Sequence, residues 1–250
     1  FEGNKNVMTF EYNLDNENYY KHRLGLIVLK SDETIEQEFR NILDDTTSIY
    51  HSRIHCDKEV TRDNLKKMEE QLPVSTNLLP NIFFDVIGYA CTSGATFIGS
   101  EIISNIIKSE RNCKHVTDPI KAVKAAFNKL NCKNIGFVSP YEKSVTESVR
   151  NHLEDGGFEI KNTLAYNESD DTVVARINEK DTFNAVCKVY TQECDVIFIS
   201  CTNLKTFKII QEAEQKLKVP VISSNLALTW HMMTLSGKAN QSGPGLLFST

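Results

Sequence analysis

Residues 85–92 read DVIGYACT and residues 195–202 read DVIFISCT, so that Asp-Val-Ile, three further residues and Cys-Thr recur 110 positions apart. The stretches opening the two halves agree at nearly the same offset: RLGLIVL at 23–29 stands against NIGFVSP at 134–140, with Gly25 and Gly136 in register. Two matches in nearly one register point to an architecture made of two copies of a single unit.

Each copy alternates short apolar runs with amphipathic stretches. In the first, 23–29, 48–55 and 84–90 read as strands, and 33–44 and 61–72 as helices. A further helix after Gly94 carries Phe97, Ile98, Ile102, Ile103, Ile106 and Ile107 on one face. The second copy places helices at 119–130, opened by Asp118-Pro119, at 142–155, closed by Gly156-Gly157, and at 172–190 and 203–217. Its strands fall at 134–139, 158–164, 195–200 and 219–223, and a last helix starts at Asn225. Continuous apolar strands separated by helices predict parallel sheets covered on both faces. The expected fold is therefore α/β: two pseudo-symmetric doubly wound lobes, each a small parallel sheet flanked by helices, with the active site between them. Residues 22–115 plus 222–250 are assigned to a first lobe carrying Cys91, and 116–221 to a second carrying Cys201. Residues 1–21 lack periodicity and read as an N-terminal extension in which Met8 is a candidate native start.

Bulk properties exclude several classes. A net charge of -5 and a pI near 5.7 give no basic field for nucleic acid. No apolar run reaches the roughly 18–20 residues of a membrane span, and the polar, acidic start does not resemble a signal peptide, so a cytoplasmic protein is expected. Seven cysteines show neither a CxxC pair nor His/Cys ligand spacing, so a metal site is not expected. There is no GxGxxG after a strand, no GxxxxGK[ST] and no GxSxG, and no cofactor is expected.

In doubly wound sheets ligands bind beyond the carboxyl ends of the strands, where Cys91 and Cys201 stand. Each is followed by Thr and a predicted helix start, whose free N–H groups and positive dipole end lower a thiol pKa and bind a carboxylate. Gly94 lets backbone approach a ligand closely. A plainer reading makes Cys-Thr two small residues closing a strand, with Thr as a cap. Its duplication in register favours function, because symmetry alone does not demand cysteine over serine or alanine.

GYACTSG at 88–94, Ser-Pro-Tyr at 139–141, Cys-Thr-Asn at 201–203 and Pro220-Val-Ile-Ser-Ser-Asn225 with Trp230-His231 resemble the Asp/Glu racemase superfamily. Within it they resemble the branch of maleate cis-trans isomerases, arylmalonate decarboxylases and ectoine-utilisation protein A, over residues 22–235. The resemblance implies a catalytic pair, Cys91 and Cys201, and places Thr92, Ser93, Tyr141, Thr202 and Asn203 at the substrate. Racemases of this kind remove an α-proton with one cysteine and return one with the other. In maleate isomerases the first-lobe cysteine adds to the alkene. Arylmalonate decarboxylases have glycine at the first cysteine position, which makes decarboxylation the weakest implication here.

Two positions depart from the isomerase pattern: Asp32 stands where an asparagine would hold a substrate carboxylate, and in Tyr166-Asn-Glu-Ser-Asp-Asp171 the nearest counterpart of a second asparagine is Asp171, with Asn167 the alternative. Like charges in a partly desolvated site cost on the order of several kcal/mol. The expected substrate is therefore a small carboxylate with an added cationic nitrogen, an amino-acid-like or ectoine-related zwitterion. Maleate is the alternative, and a two-lobed small-carboxylate binding protein the non-enzymatic rival. Asp32 reads equally as the N-cap of helix 33–44. Trp230 and His231 read as core or interface residues, and the apolar 97–107 face leaves room for a homodimer.

Overall fold

The computed structural model describes residues 7–14, 20–57, 61–238 and 242–249. The first half runs β1 (His22–Leu29), α1 (Ile35–Arg40), β2 (Thr47–Ile54), α2 (Arg62–Asn77), β3 (Phe84–Ala90), α3 (Thr92–Ile98), α4 (Ser100–Glu110) and β4 (Cys113–Thr117). The second continues with α5 (Pro119–Lys129), β5 (Asn134–Ser139), α6 (Lys143–Asp155), β6 (Glu159–Ala165), α7 (Asp171–Val174), α8 (Glu179–Val189), β7 (Val196–Ile199), α9 (Phe207–Leu217), β8 (Val221–Ser223) and α10 (Ser224–Leu235). Strand orders are β2-β1-β3-β4 and β6-β5-β7-β8, every pairing parallel. The two sheets are thus one topology twice, as the repeat demands.

Most of the repeat is scaffolding. Gly25 pairs with Ile87 across β1 and β3, and Gly136 with Ile197 across β5 and β7. A Cβ on Gly25 would lie 3.1 Å from Ile87, and one on Gly136 2.6 Å from Ile197, so each glycine makes room for the isoleucine of its own Asp-Val-Ile. The aspartates also act alike in the two copies. Asp85 accepts the Arg23 N–H at 2.8 Å and Asp195 the Asn134 N–H at 2.9 Å, fixing where the neighbouring strand begins. What the structure leaves unexplained in both copies is Cys-Thr.

Where the copies diverge, a packing reason is visible. Phe198 stacks on Phe137 in the second lobe, and its counterpart is Gly88. A Cβ there would sit 2.7 Å from Met232 Sδ, because α10 lies against β3. β8, by contrast, pairs with β7 in the second sheet. Buried Glu38 of α1 accepts the Thr206 and Phe207 N–H groups at 2.7 and 2.9 Å, and so caps α9 from the other lobe. It also takes Asn225 Nδ2 at 2.7 Å, holding α10 to the same point. One core cluster runs through both sheets.

Several expected elements are corrected. The helix after Gly94 is two helices, broken at Gly99, whose φ of 94° an L-residue side chain disfavours. The predicted 172–190 helix divides into α7 and α8, and the predicted 203–217 helix starts only at Phe207. β4 was not anticipated: Cys113-Lys-His-Val-Thr117 is short and partly exposed, with too few apolar residues to show a period. The part of the N-terminal extension at 7–14 has no regular secondary structure and is exposed. Among the described residues no helix is long and apolar enough to cross a membrane.

Candidate active site

In the order β2-β1-β3-β4 the chain reverses direction of winding between β1 and β3, and in β6-β5-β7-β8 between β5 and β7. The carboxyl ends of these four central strands carry the loops that meet between the lobes. Cys91 follows β3 in extended conformation, φ -150°, and caps α3: its Sγ accepts the Gly94 N–H at 3.2 Å, with Ser93 Oγ at 3.6 Å. Cys201 follows β7 at φ 97°, and its Sγ accepts the Asn203 N–H at 3.4 Å. No helix starts beside Cys201, contrary to the sequence-based expectation. A turn at 202–203 opens an irregular segment that runs to α9 and supplies its N–H without a helix dipole.

Both sulfurs line one cavity of about 20 Å³, room for one or two waters. Thr92, Ser93, Tyr141, Asp171 and Thr202 line it too, so seven of the nine predicted site residues converge. The Thr92 hydroxyl donates to Ser224 Oγ at 2.8 Å, and the Cys201 N–H donates to the same oxygen at 3.1 Å. Ser224, at the start of α10, thereby joins the two Cys-Thr turns. The Thr202 hydroxyl crosses to the Ala90 carbonyl at 3.3 Å. The Tyr141 hydroxyl lies within hydrogen-bonding reach of Cys201 and Ser200.

Asp32 and Asn203 do not line the cavity. Asp32 Oδ1 accepts the Thr34 and Ile35 N–H groups, both at 2.9 Å, which is the helix-capping role. Its Oδ2 is buried beside Thr202 without an in-line hydrogen bond, and burial raises its pKa to about 7. Asn203 is a buried staple: Oδ1 accepts the Glu33 N–H, and Nδ2 reaches the Ser31 and Asp171 carbonyls and Asp171 Oδ2. It ties the loops after β1 and β7 to the start of α7. Asp171 accepts Ser31 Oγ at 2.5 Å and Asn203 Nδ2 at 3.0 Å, yet burial outweighs both and raises its pKa. The predicted lowering of the thiol pKa values is overturned in the same way. Burial pushes Cys91 up to about 12 and Cys201 well above its ordinary value, against the pull of their N–H donors.

Several contributors had no assigned role in the sequence. Ser31 sits one residue from Asp32, and Ser224 lies inside the Pro220–Asn225 motif, so a signal existed for both. Leu29, Cys56, Leu65 and Met68 form an apolar wall, with Asn64 and Asp57 beside it, contributed by β1, α2 and the segment preceding α2. Distance along the chain hid these. His231 is buried, bonded through Nδ1 to Thr117 Oγ1 at 2.8 Å and stacked on Trp230, away from both sulfurs. On the apolar face of 97–107, Ile103 and Ile107 are buried and Ile102 is exposed. Among the described residues no three His, Cys, Asp or Glu side chains converge as metal ligands.

The family profile described as arylmalonate decarboxylase matches residues 25–248. A maleate isomerase of Pseudomonas putida is 26% identical over 229 residues, 85% of this chain and 90% of that protein. The crystal structure of the maleate isomerase Iso from Pseudomonas putida S16 superposes with a TM-score of 0.84 at 26% identity, covering 91% of this chain and 98% of that one. A Nocardia farcinica maleate cis-trans isomerase, a Cys-to-Ser variant with a covalently bound succinylcysteine intermediate, also reaches 0.84, at 21% identity and with 91% and 98% covered.

Proposed function

Since the chain belongs to the arylmalonate decarboxylase family, as a cysteine-based isomerase-like enzyme of the Asp/Glu racemase-like superfamily, we propose that it interconverts the cis and trans forms of a small unsaturated dicarboxylate of the maleate type. The observation that carries this reading is the opening of Cys91 and Cys201, one from each lobe, into a single cavity with a backbone N–H on each sulfur.

In the proposed reaction Cys91, as thiolate, forms a bond from Sγ to one alkene carbon. The π pair takes a proton from the Cys201 thiol at the neighbouring carbon, leaving a saturated thioether. The former double bond is then single and rotates. Cys201, now a thiolate, takes a proton back from that carbon. The carbon–sulfur bond breaks, its pair returns to Cys91, and the trans alkene leaves. Thr92, Ser93 and Tyr141 supply hydroxyl donors for carboxylate oxygens during these steps. The succinylcysteine held by the Nocardia farcinica relative is the adduct this route requires.

The described site is small and buried, which keeps both thiols neutral. Opening at the wall formed by Leu65 and Met68 of α2 admits substrate and the water that lets Cys91 ionise. Asp171, with its raised pKa, is protonated over a wider range than an ordinary carboxyl and in that state donates to a carboxylate, as an asparagine amide would.

Asp171 also supports a second reading, because among the described residues no Lys, Arg or His lines the cavity and an ionised Asp171 would receive a cationic nitrogen. Proton exchange at the α-carbon of an amino-acid-like or ectoine-related zwitterion then replaces alkene addition. Asp32, the other half of the charge argument, points into its own helix cap, and maleate therefore takes first place. Proton NMR of the enzyme with maleate is expected to show fumarate. No fumarate, with deuterium entering the α-carbon of zwitterions in D2O, selects the second reading. Binding without either reaction leaves a receptor.

A further inference from the structure

We propose that Tyr89 is a positioning residue for Cys91, its phenol hydroxyl donating a hydrogen bond to the Cys91 sulfur when that sulfur is a thiolate. Tyr89 lies in β3, two residues before Cys91, and the extended backbone at Cys91 sends both side chains to the same face. Its side chain is fully buried, and its hydroxyl is a buried polar atom with no in-line partner. Leaving a hydroxyl unpaired in a core is destabilising, and phenylalanine would fill the same space without that penalty.

Gly94 shows what the hydroxyl is near. A Cβ there would lie 2.5 Å from Tyr89 Oη and 3.0 Å from Cys91 Sγ, so phenol and sulfur flank one point. The bare Cα keeps that point open. The repeat adds a second argument: the counterpart of Tyr89 is Ile199, in the lobe whose cysteine serves as acid. Cys201 has its own phenol, Tyr141, which arrives from β5 on the cavity side. Each sulfur thus has one tyrosine, drawn from non-equivalent positions. A neutral thiol makes little use of a buried phenol. A thiolate, which must form in a site this buried, gains a charge-assisted bond.

This inference takes its purpose from the reading of Cys91 as nucleophile, but its test needs no substrate. Iodoacetamide labelling of Cys91 is followed by peptide mass spectrometry as a function of pH, in the full chain carrying Cys201→Ser, with and without Tyr89→Phe. Below the thiol midpoint the rate tracks the thiolate fraction, and Tyr89→Phe is expected to slow it about ten-fold, a shift of about one pH unit. Loosened packing would instead speed labelling by admitting reagent. An equal or faster rate with phenylalanine overturns the proposal, as does a lowered Tm with an unmoved rate. Should Tyr89→Phe not fold, 3-fluorotyrosine at 89, a more acidic phenol and stronger donor, is expected to raise the rate, and an unchanged rate there overturns the proposal equally. Loss of isomerase activity on Tyr89→Phe in the chain with Cys201 intact, with unmoved labelling, refutes Tyr89 without touching the function. Slowed labelling, when the parent chain with Cys201 intact leaves maleate unchanged, keeps Tyr89 and refutes the isomerase reading.

Discussion

The turn at Cys91 and the turn at Cys201 begin on equivalent strands, against equivalent glycines, and then part. Cys91 keeps an extended backbone and caps a helix at once, so its sulfur meets the Gly94 N–H at a helix N-terminus. Cys201 turns to φ 97°, and its sulfur meets the Asn203 N–H of an irregular turn, with the next helix starting at Phe207. The surroundings differ as well: Tyr89 and Ser93 beside the first, Tyr141 and Ser200 beside the second. The difference teaches that the repeat specifies where the sulfurs stand, while what each does is set by unrepeated neighbours. A thiol on a helix end is suited to becoming the thiolate. One without a dipole is suited to keeping its proton until it is needed.

The most direct way to break this comparison is to remove each sulfur. Cys91→Ala and Cys201→Ser are both expected to lower kcat/KM by roughly a thousand-fold or more, since each interrupts one half of a coupled sequence. What remains bound should differ. Intact mass after incubation with maleate is expected to show an adduct on Cys201→Ser and none on Cys91→Ala. An adduct on Cys91→Ala alone would exchange the roles.

The carboxylates extend the contrast, because Asp32 serves the scaffold of the first lobe and Asp171 faces the cavity from the second. The pKa of Asp32 is raised to about 7 in the folded protein by burial. The native state therefore holds its proton more tightly than the unfolded chain, and stability falls as pH climbs from the unfolded value near 3.8 to about 7, then levels. Asp32→Asn keeps an oxygen for the Thr34 and Ile35 N–H groups and removes the buried charge. Its stability relative to the parent is expected to rise across that window, by on the order of a few kcal/mol at pH 8 and little at pH 4, measured by urea unfolding. A constant difference at all pH values would show that Asp32 does not titrate there.

Asp171→Asn sharpens the choice of substrate. With maleate, the parent is expected to lose kcat/KM as pH rises through the raised pKa of Asp171, because the ionised carboxylate repels the dianion. The asparagine variant should flatten that limb and lower KM by about ten-fold at alkaline pH. A zwitterionic substrate reverses the sign: the variant binds it worse, and most so at alkaline pH.

Much of this was legible because repeats are written in residue identity. Asp85 with Asp195, Gly25 with Gly136 and Cys91 with Cys201 could be paired by eye, and that pairing placed strands, lobes and sulfurs. The unrepeated parts were not. β4 is too short and exposed to carry a period, and Gly99 breaks a helix whose apolar face runs on unbroken. Asn203 looked like a ligand because it stands two residues after a cysteine, yet its amide is consumed by Glu33, Ser31 and Asp171, which lie 32 to 172 positions away. The thiol pKa values were misjudged for a related reason: a helix end can be read from sequence, and the depth of its burial cannot.

The smallest effect isolates the backbone difference itself. At φ 97° a side-chain-bearing residue is strained, and Cys201 is held there by three contacts: its N–H on Ser224 Oγ, its sulfur under the Asn203 N–H, and Thr202 on the Ala90 carbonyl. Glycine relieves such strain, so Cys201→Gly is expected to be more stable than Cys201→Ala by about 1 kcal/mol, although glycine loses more chain entropy on folding. At Cys91, with φ -150°, there is no strain to relieve, and the order should reverse, alanine exceeding glycine by about 0.5–1 kcal/mol. Urea midpoints at matched m-values decide it. Opposite signs at the two positions would show that the second lobe spends backbone energy to bring its sulfur to the cavity. The same sign at both would mean the Cys201 turn is relaxed, so that the asymmetry of the two thiols would have to come from Tyr89, Tyr141 and the helix end alone.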